Sequence, residues 1–126
     1  MKRKNHGTCD VFIPDGTLVP GNMHIPGNVY VGNNCTIYGN IYANDGVFFG
    51  KYCRAGEVIA GECVETQEQA SIWKIKCAGN VNIGDDSSVV CIDSSGDVNL
   101  GKEVAVLRFD VKGEIRRNGR VIRGKK

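Results

Sequence analysis

Apolar residues return every six positions between Ile25 and Ile59 of this chain. In each group of six, the first residue and the one four places later are apolar or small. The slots between them hold mainly glycine, asparagine and aspartate. A period of six fits neither a helix nor one continuous alternating strand. It predicts very short strands separated by tight corners, where Gly and Asn adopt the dihedrals that turns require. The apolar positions are Ile25, Val29, Val31, Cys35, Ile37, Ile41, Ala43, Val47, Phe49, Cys53, Ala55 and Ile59.

A longer repeat runs through the second half of the chain. The segments "GNVNIGDDSSVVCIDSS", "GDVNLGKEVAVLRFDVK" and "GEIRRNGRVIRGKK" begin at Gly79, Gly96 and Gly113, and successive starts are 17 residues apart. An earlier copy of the same motif, "GNVYVG", begins at Gly27. Internal periods of this kind are typical of solenoids. Three short strands, one on each of three faces, would complete a coil of about 17–18 residues.

Together these patterns predict an all-β, single-domain, three-faced parallel β-helix over residues 13–123, with about six coils. At about 4.8 Å per coil, the rod would be about 30 Å long. Each face is expected to point one side chain inward, at the same place on every coil. Cys35 and Cys53 fall on such inward positions, and we therefore predict that they are small core residues. Residues 1–12 are predicted to be a basic flexible segment and residues 124–126 a basic tail.

The six-residue pattern breaks over residues 61–76, "GECVETQEQASIWKIK". This segment is expected to be a loop, a face with larger side chains, or a short helix from Glu65 to Ala70. Trp73 within it is interpreted either as a packing residue or as an aromatic platform for a ligand. At the two ends, prolines 14, 20 and 26 would interrupt a strand ladder, and Asn118-Gly119 predicts a hairpin that caps the last coil.

The composition is that of a water-soluble chain. Seventeen glycines in 126 residues are about twice the usual share, which indicates many sharp turns. No stretch approaches the roughly 18 apolar residues of a membrane span. The start, "MKRKNHGTCD", is basic but lacks the apolar region of a secretory signal. We therefore expect a cytoplasmic protein without a transmembrane segment.

Charge is divided between the ends and the middle of the chain. Residues 1–4 and 112–126 contain ten basic residues and one acidic residue, whereas residues 5–111 contain six basic and thirteen acidic ones. Basic ends on an acidic body predict either attraction between copies or contact with an anionic surface. The alternative is a solvated tail that maintains solubility. The predicted contacts to an anionic surface are Arg116, Arg117, Arg120 and Arg123.

Motifs for catalysis, cofactors or metals are missing from the sequence. The six cysteines form no C-x-x-C pair. Asp85-Asp86 is interpreted as a solvated turn in preference to a calcium site. The chain has two histidines, fewer than a three-histidine zinc site needs. His24 precedes an inward position and is expected to face outward. We predict a non-enzymatic protein without cofactor or metal, with a trimeric hexapeptide-type acyltransferase as the enzymatic alternative.

The repeat resembles that of the bactofilins, a family of polymer-forming cytoskeletal proteins. The resemblance lies in "GNVYVG", "GNVNIG" and "GDVNLG", supported by "YGNIYANDGVFFG" and "AGEVIAGECVE", and covers about residues 13–115. It implies a right-handed β-helix that assembles end to end into filaments without nucleotide. The hexapeptide block suits a left-handed helix equally well. By position, the family's apolar polymer contact corresponds to Phe109, with Leu107 and Val111 beside it; an inward core position is the alternative for Phe109.

The leading functional hypothesis is therefore a structural protein whose main partner is another copy of itself. Its basic ends add an anionic membrane surface or other scaffold proteins as candidate partners. A rigid module that binds an anionic partner is the second hypothesis. Nucleic acid is not expected, because no aromatic residues are interleaved with the C-terminal arginines to stack on bases.

Overall fold

The computed structural model describes residues 10–117 and 120–123, and all regular elements in these residues are β-strands. None of the described segments is a helix that could cross a bilayer. The strands are β1 (Val11–Ile13), β2 (Leu18–Val19), β3 (Met23–Ile25), β4 (Val29–Val31), β5 (Thr36–Ile37), β6 (Ile41–Ala43), β7 (Val47–Phe49), β8 (Arg54–Ala60), β9 (Val64–Glu65), β10 (Ser71–Cys77), β11 (Val81–Ile83), β12 (Ser88–Ser94), β13 (Val98–Leu100), β14 (Ala105–Val111), β15 (Ile115–Arg117) and β16 (Arg120–Arg123).

The strands stack in parallel on three faces. Face 1 consists of β1, β4, β7, β9, β11, β13 and β15, each paired with the next. Face 2 begins with β2 and β5, and face 3 begins with β3 and β6. Both β5 and β6 pair with β8, so that β8 and the later seven-residue strands β10, β12 and β14 cross from face 2 to face 3. The predicted all-β solenoid of about six coils is confirmed.

The coil shortens from 18 to 17 residues at one corner. Ile37 pairs with Ala55, 18 positions later, but Ile41 pairs with Val58, 17 positions later. One residue is therefore lost between faces 2 and 3, which fuses two short strands into β8. This loss shifts the phase of the pattern, so that Ile59, predicted to point inward, is partly exposed while Val58 is fully buried.

The segment 61–76 is an ordinary part of the next coil. It contains β9 and most of β10, and no helix forms between Glu65 and Ala70. Ile72 and Ile75 are buried, in register with Ala55 and Val58 of the coil before. Of the alternatives left open for this segment, the structure has a coil face with larger side chains. The six-residue pattern ends here because the coil has become one residue shorter.

Each three-residue face-1 strand of the central coils buries its first and its last residue, and not one residue as predicted. In β4, Val29 and Val31 are 0% and 5% exposed, while Tyr30 between them points outward. Stacking of the first of these positions over successive coils produces a fully buried column of valines: Val29, Val47, Val64, Val81 and Val98. Cys35 and Cys53 are buried as predicted and donate S–H bonds to backbone carbonyls of the preceding coil. The core thus consists of columns of small side chains that run along the rod.

Asparagine and aspartate side chains join successive coils at the corners. Asn33 Oδ1, for example, accepts the backbone N–H of Lys51 at 2.8 Å, and Asp15 Oδ1 accepts that of Asn33 at 2.8 Å. Glycine at position 50 leaves space for this bond, because a Cβ there would overlap Asn33 Oδ1. The Gly-Asn motifs of the sequence therefore stabilise the stacking of coils as well as forming turns.

One residue per coil adopts a left-handed backbone conformation at the corner between faces 1 and 2. Only glycine, and to a lesser degree Asn and Asp, enter this region with little strain. At three of the six corners the residue is none of these. The six are Gly16 (φ 73°), Asn34 (59°), Tyr52 (61°), Gln69 (57°), Asp86 (58°) and Glu103 (56°).

The two ends of the rod differ. The N-terminal coil begins with β1 at Val11, inside the segment 1–12 predicted to be flexible. At the C-terminal end β16 pairs antiparallel with β15, as a capping hairpin requires. The proposed turn residues Asn118 and Gly119 lie outside the described residues. Faces 2 and 3 end at β14, and no described strand pairs with its outer edge.

Candidate assembly surfaces

One column of inward side chains runs through face 3 from end to end. Its four central members, Ile41, Val58, Ile75 and Ile92, are each 0% exposed. Its terminal members are Met23 in β3 and Phe109 in β14, and both are only partly buried. The interior therefore opens to solvent at both ends of the rod, as a stack of coils does wherever the next coil is missing.

The N-terminal end also exposes a stack of aromatic rings on the outside of face 1. Phe12, Tyr30 and Phe48 occupy the same outward position on three coils, with ring centroids 4.8 and 5.1 Å apart and nearly parallel planes. Phe12 ends the stack and is 72% exposed. Leu18 in β2 is 57% exposed. This end thus presents apolar side chains along the open edge of the sheets.

The three residues predicted for the polymer contact do not share one surface. Phe109 and Val111 point inward on face 3 of the last coil, Phe109 half-buried and Val111 7% exposed. Leu107 lies at the corner between faces 2 and 3 and is 77% exposed. Of the three, Phe109 is the residue that contributes directly to the open C-terminal end. The inward position named as its alternative is the one that it occupies.

The arginines predicted to contact an anionic surface also separate. Arg116 points outward and forms an ion pair of 2.6 Å with Glu114. Arg117 occupies the inward position above Leu100, and its Nη1 donates to the carbonyl oxygen of Val104 at 2.6 Å. It covers the end of its column instead of pointing into solvent. The backbones of Arg120 and Arg123 lie in β16, and their side chains are outside the described set.

His24 points outward, as predicted, and its ring stacks on Tyr42 with centroids 4.6 Å apart. Both rings line an open hollow of ≈ 450 Å³ on face 3, together with apolar side chains that include Ile59. The other histidine, His6, lies outside the described residues.

Three of the five cysteines in the described part of the chain are buried thiols. Cys35, Cys53 and Cys77 are buried, and all five described cysteines are free thiols. Burial raises the pKa of the Cys53 and Cys77 thiols above the 9.0 of an exposed thiol. Both groups therefore stay protonated near neutral pH, the form that is a poor nucleophile. In residues 10–117 and 120–123, no three His, Cys, Asp or Glu side chains form a group that could hold a metal ion.

A row of outward-pointing apolar residues is not evident from the six-residue pattern. Trp73, Val90 and Leu107 lie at the same corner on three successive coils. Trp73 is 64% exposed, and Val90 is half-buried between its two neighbours. We call this row the corner ridge. The constant spacing of 17 residues is the signal that could have revealed it. Trp73 is thus a surface residue and not a core residue.

Comparison of the chain with protein-family models, with curated proteins and with solved structures finds no match. Functional inference therefore rests on the geometry of the two ends and of the outer surface.

Proposed function

We propose that this protein is a non-catalytic structural element that assembles end to end, without nucleotide, into filaments. The carrying observation is the face-3 column that begins at Met23 and ends at Phe109. Four fully buried residues separate these two half-exposed ones. On faces 2 and 3, where no described strand lies beyond β14, a second copy would cover Phe109 with its own Met23 and continue the column. On face 1, β15 and β16 already lie beyond β13, so the partner's β1 must be displaced from its place in the stack.

The first and last coils of the described solenoid differ in charge. The first described coil, residues 10–27, carries Asp10 and Asp15 and no Lys or Arg. Residues 98–123 carry seven basic and three acidic residues. Lys2, Arg3 and Lys4 precede the first described coil in the sequence, so charge alone does not distinguish contacts between unlike ends from contacts between like ends. The resemblance to bactofilins, which implies assembly of the same kind, agrees with this proposal.

Head-to-tail contact is heterologous, because each copy uses two different surfaces. Such contacts produce open filaments unless the rotation between copies closes a ring. In a straight rod, continued stacking adds coils along one axis and does not close. The expected product is a filament whose thickness is that of a single solenoid.

The test uses two variants that each block one end, Met23→Arg and Phe109→Arg. Wild-type protein is expected to form filaments in negative-stain electron microscopy at low and high salt, with or without nucleotide. Each variant alone is expected to remain small, since its blocked end stops growth. An equimolar mixture should form heterodimers, because each variant keeps the end that the other has lost. Circular dichroism checks that both variants retain the β-solenoid.

Other outcomes would separate the alternatives. Dimers of each variant alone, with nothing new in the mixture, would show that unlike ends do not join. Small particles of the wild type under all conditions would refute end-to-end assembly. A closed trimer would then favour the hexapeptide-type transferase, and salt-sensitive binding to anionic vesicles would favour the rigid-module hypothesis.

A further inference from the structure

The corner ridge arises from the change in coil length. Trp73 lies between Ile72 and Lys74, which pair with Ala55 and Glu57 of the coil below, and it corresponds to Gly56. At this corner the strand turns from face 2 to face 3, so that the side chain points away from both. The same geometry places Val90 and Leu107 on the outside one and two coils later. Counted from the N-terminus, coil 3 contains β8, and coils 4, 5 and 6 contain β10, β12 and β14. The ridge is therefore a regular feature of coils 4, 5 and 6.

Face 2 next to the ridge is flat and carries small side chains. Its outward positions in coils 4, 5 and 6 are Ser71, Ser88 and Ala105, and all three are exposed. In coil 3 the corresponding residue is Arg54, also exposed. Small residues allow a second sheet to approach more closely than the usual ~10 Å. Coils 4 to 6 thus differ from coil 3 in having a surface suited to sheet packing beside an apolar ridge.

We propose that a second copy of this chain binds here side by side and antiparallel, about a two-fold axis along the face-2 strand of coil 5. This axis places coil 4 of one copy against coil 6 of the other. Trp73 then packs on the partner's Leu107, Leu107 packs on the partner's Trp73, and Val90 meets the partner's Val90. Every residue of the corner ridge is then covered by a ridge residue of the partner, because a two-fold contact uses the same surface on both copies.

One pair of opposite charges at the other edge of face 2 fits the same axis. Glu68 in coil 4 and Lys102 in coil 6 are both exposed there. The two-fold places Glu68 against the partner's Lys102 and Lys102 against the partner's Glu68. At the same edge it also places the exposed Asp86 of coil 5 against the partner's Asp86, a like-charge pair that weakens the contact at low salt. A parallel arrangement of the two rods would instead place the apolar ridge against the corner that carries Glu68, which leaves a carboxylate facing tryptophan. Complementary charges at the rim set orientation more than affinity.

This contact is independent of the ends, since its surface contains neither Met23 nor Phe109. It closes at two copies and does not itself produce a filament. Combined with end-to-end assembly it would pair filaments, and without that assembly it would yield a discrete dimer. Failure of one proposal therefore leaves the other testable.

The experiment measures the monomer–dimer equilibrium of the full chain by sedimentation, in the wild type and in the end-blocked Met23→Arg variant. Trp73→Ser and Leu107→Ser should each raise the dissociation constant about tenfold or more, because each removes an apolar anchor. Tyr38→Ser is the matched control. Tyr38 is 67% exposed at the same corner but lies in coil 2, outside the contact, so the dimer should persist.

A charge exchange tests the pairing itself. Glu68→Lys alone and Lys102→Glu alone should weaken the dimer, because each places like charges opposite each other. The double variant Glu68→Lys/Lys102→Glu should recover the wild-type dissociation constant. A purely structural effect of either substitution would not be reversed by the other.

Crosslinking checks the axis. In a background in which Cys9, Cys63 and Cys91 are replaced by serine, a short bis-maleimide should link two Val90→Cys chains. It should also link Trp73→Cys chains to Leu107→Cys chains more efficiently than either to itself. A wild type that is monomeric at all concentrations, a dimer insensitive to Trp73→Ser, or the absence of these crosslinks would each overturn the proposal.

Discussion

The Arg117 guanidinium covers the C-terminal end of a core column by donating a hydrogen bond to the carbonyl oxygen of Val104, 2.6 Å away. Arg117 occupies the inward position that Leu100 and Ile83 hold in the coils below. Its side chain is half-buried. An arginine at an apolar position is tolerated here because only the antiparallel strand β16, and no further coil, lies above it in the described chain, and because a backbone carbonyl accepts a hydrogen bond from its guanidinium.

We expect Arg117→Ala to lower the free energy of unfolding by about 1–3 kcal/mol, the usual value of a hydrogen bond to a charged group plus the lost cover of Leu100. Arg116→Ala is the control. Arg116 belongs to a surface ion pair with Glu114, and its loss should cost about 0–1 kcal/mol. Urea denaturation of both variants measures the difference. Equal destabilisation would contradict the capping role of Arg117.

The space around the backbone predicts opposite changes in stability for two glycine substitutions. A Cβ on Gly50 would overlap Asn33 Oδ1 and lie 2.8 Å from the carbonyl carbon of Gly32. Gly50→Ala should therefore lower stability by about 2–4 kcal/mol, through overpacking and the loss of a backbone hydrogen bond. A Cβ on Gly21 would meet no atom within 4 Å, and the φ of Gly21 is not positive. Gly21→Ala should raise stability by about 0.4–1 kcal/mol, and thermal unfolding distinguishes the two signs.

Glycine in place of a residue that has a left-handed backbone conformation at a corner should stabilise the protein. Gln69 has a φ of 57°, in a region that costs a non-glycine residue about 1–2 kcal/mol. After the entropy cost of glycine in the unfolded chain is subtracted, Gln69→Gly should stabilise by about 0.5–1 kcal/mol. The neighbouring Glu68→Gly, where φ is not positive, should destabilise. Chemical denaturation of the two variants provides the comparison, and the same sign for both would show that strain at this corner is negligible.

Stability should fall as the solution becomes alkaline. Burial raises the pKa of the Cys53 and Cys77 thiols, so above pH 9.0 the unfolded chain releases protons that the folded chain retains. The contribution of these protonated thiols to the free energy of unfolding is fully present below pH 9.0. It is lost as the pH rises through the higher pKa values of the folded state. Cys53→Ala/Cys77→Ala should flatten the decline. Denaturation from about pH 8 to about pH 10 compares the slopes, and equal slopes would contradict the prediction.

Much of the fold was accessible from the sequence because a solenoid repeats its environment. Each coil places residues in the same columns, so the same residue types recur at Gly79, Gly96 and Gly113. Strand register is the same in either hand, and right-handedness remains a prediction of the resemblance to bactofilins. The candidate surfaces were harder to find, since exposure of Trp73 and partial burial of Phe109 depend on position within the stack and not on residue type.

The sequence by itself determined the all-β solenoid, its 17- to 18-residue coil and the small buried cysteines at positions 35 and 53. These follow from local spacing, because corners need Gly or Asn and narrow columns need small side chains. Only the tertiary structure decided that Ile59 and Trp73 face solvent while Arg117 faces the core. The direction of a side chain in this fold is set by hydrogen-bonded register with a strand 17 or 18 residues away, and one residue lost at a corner reverses it.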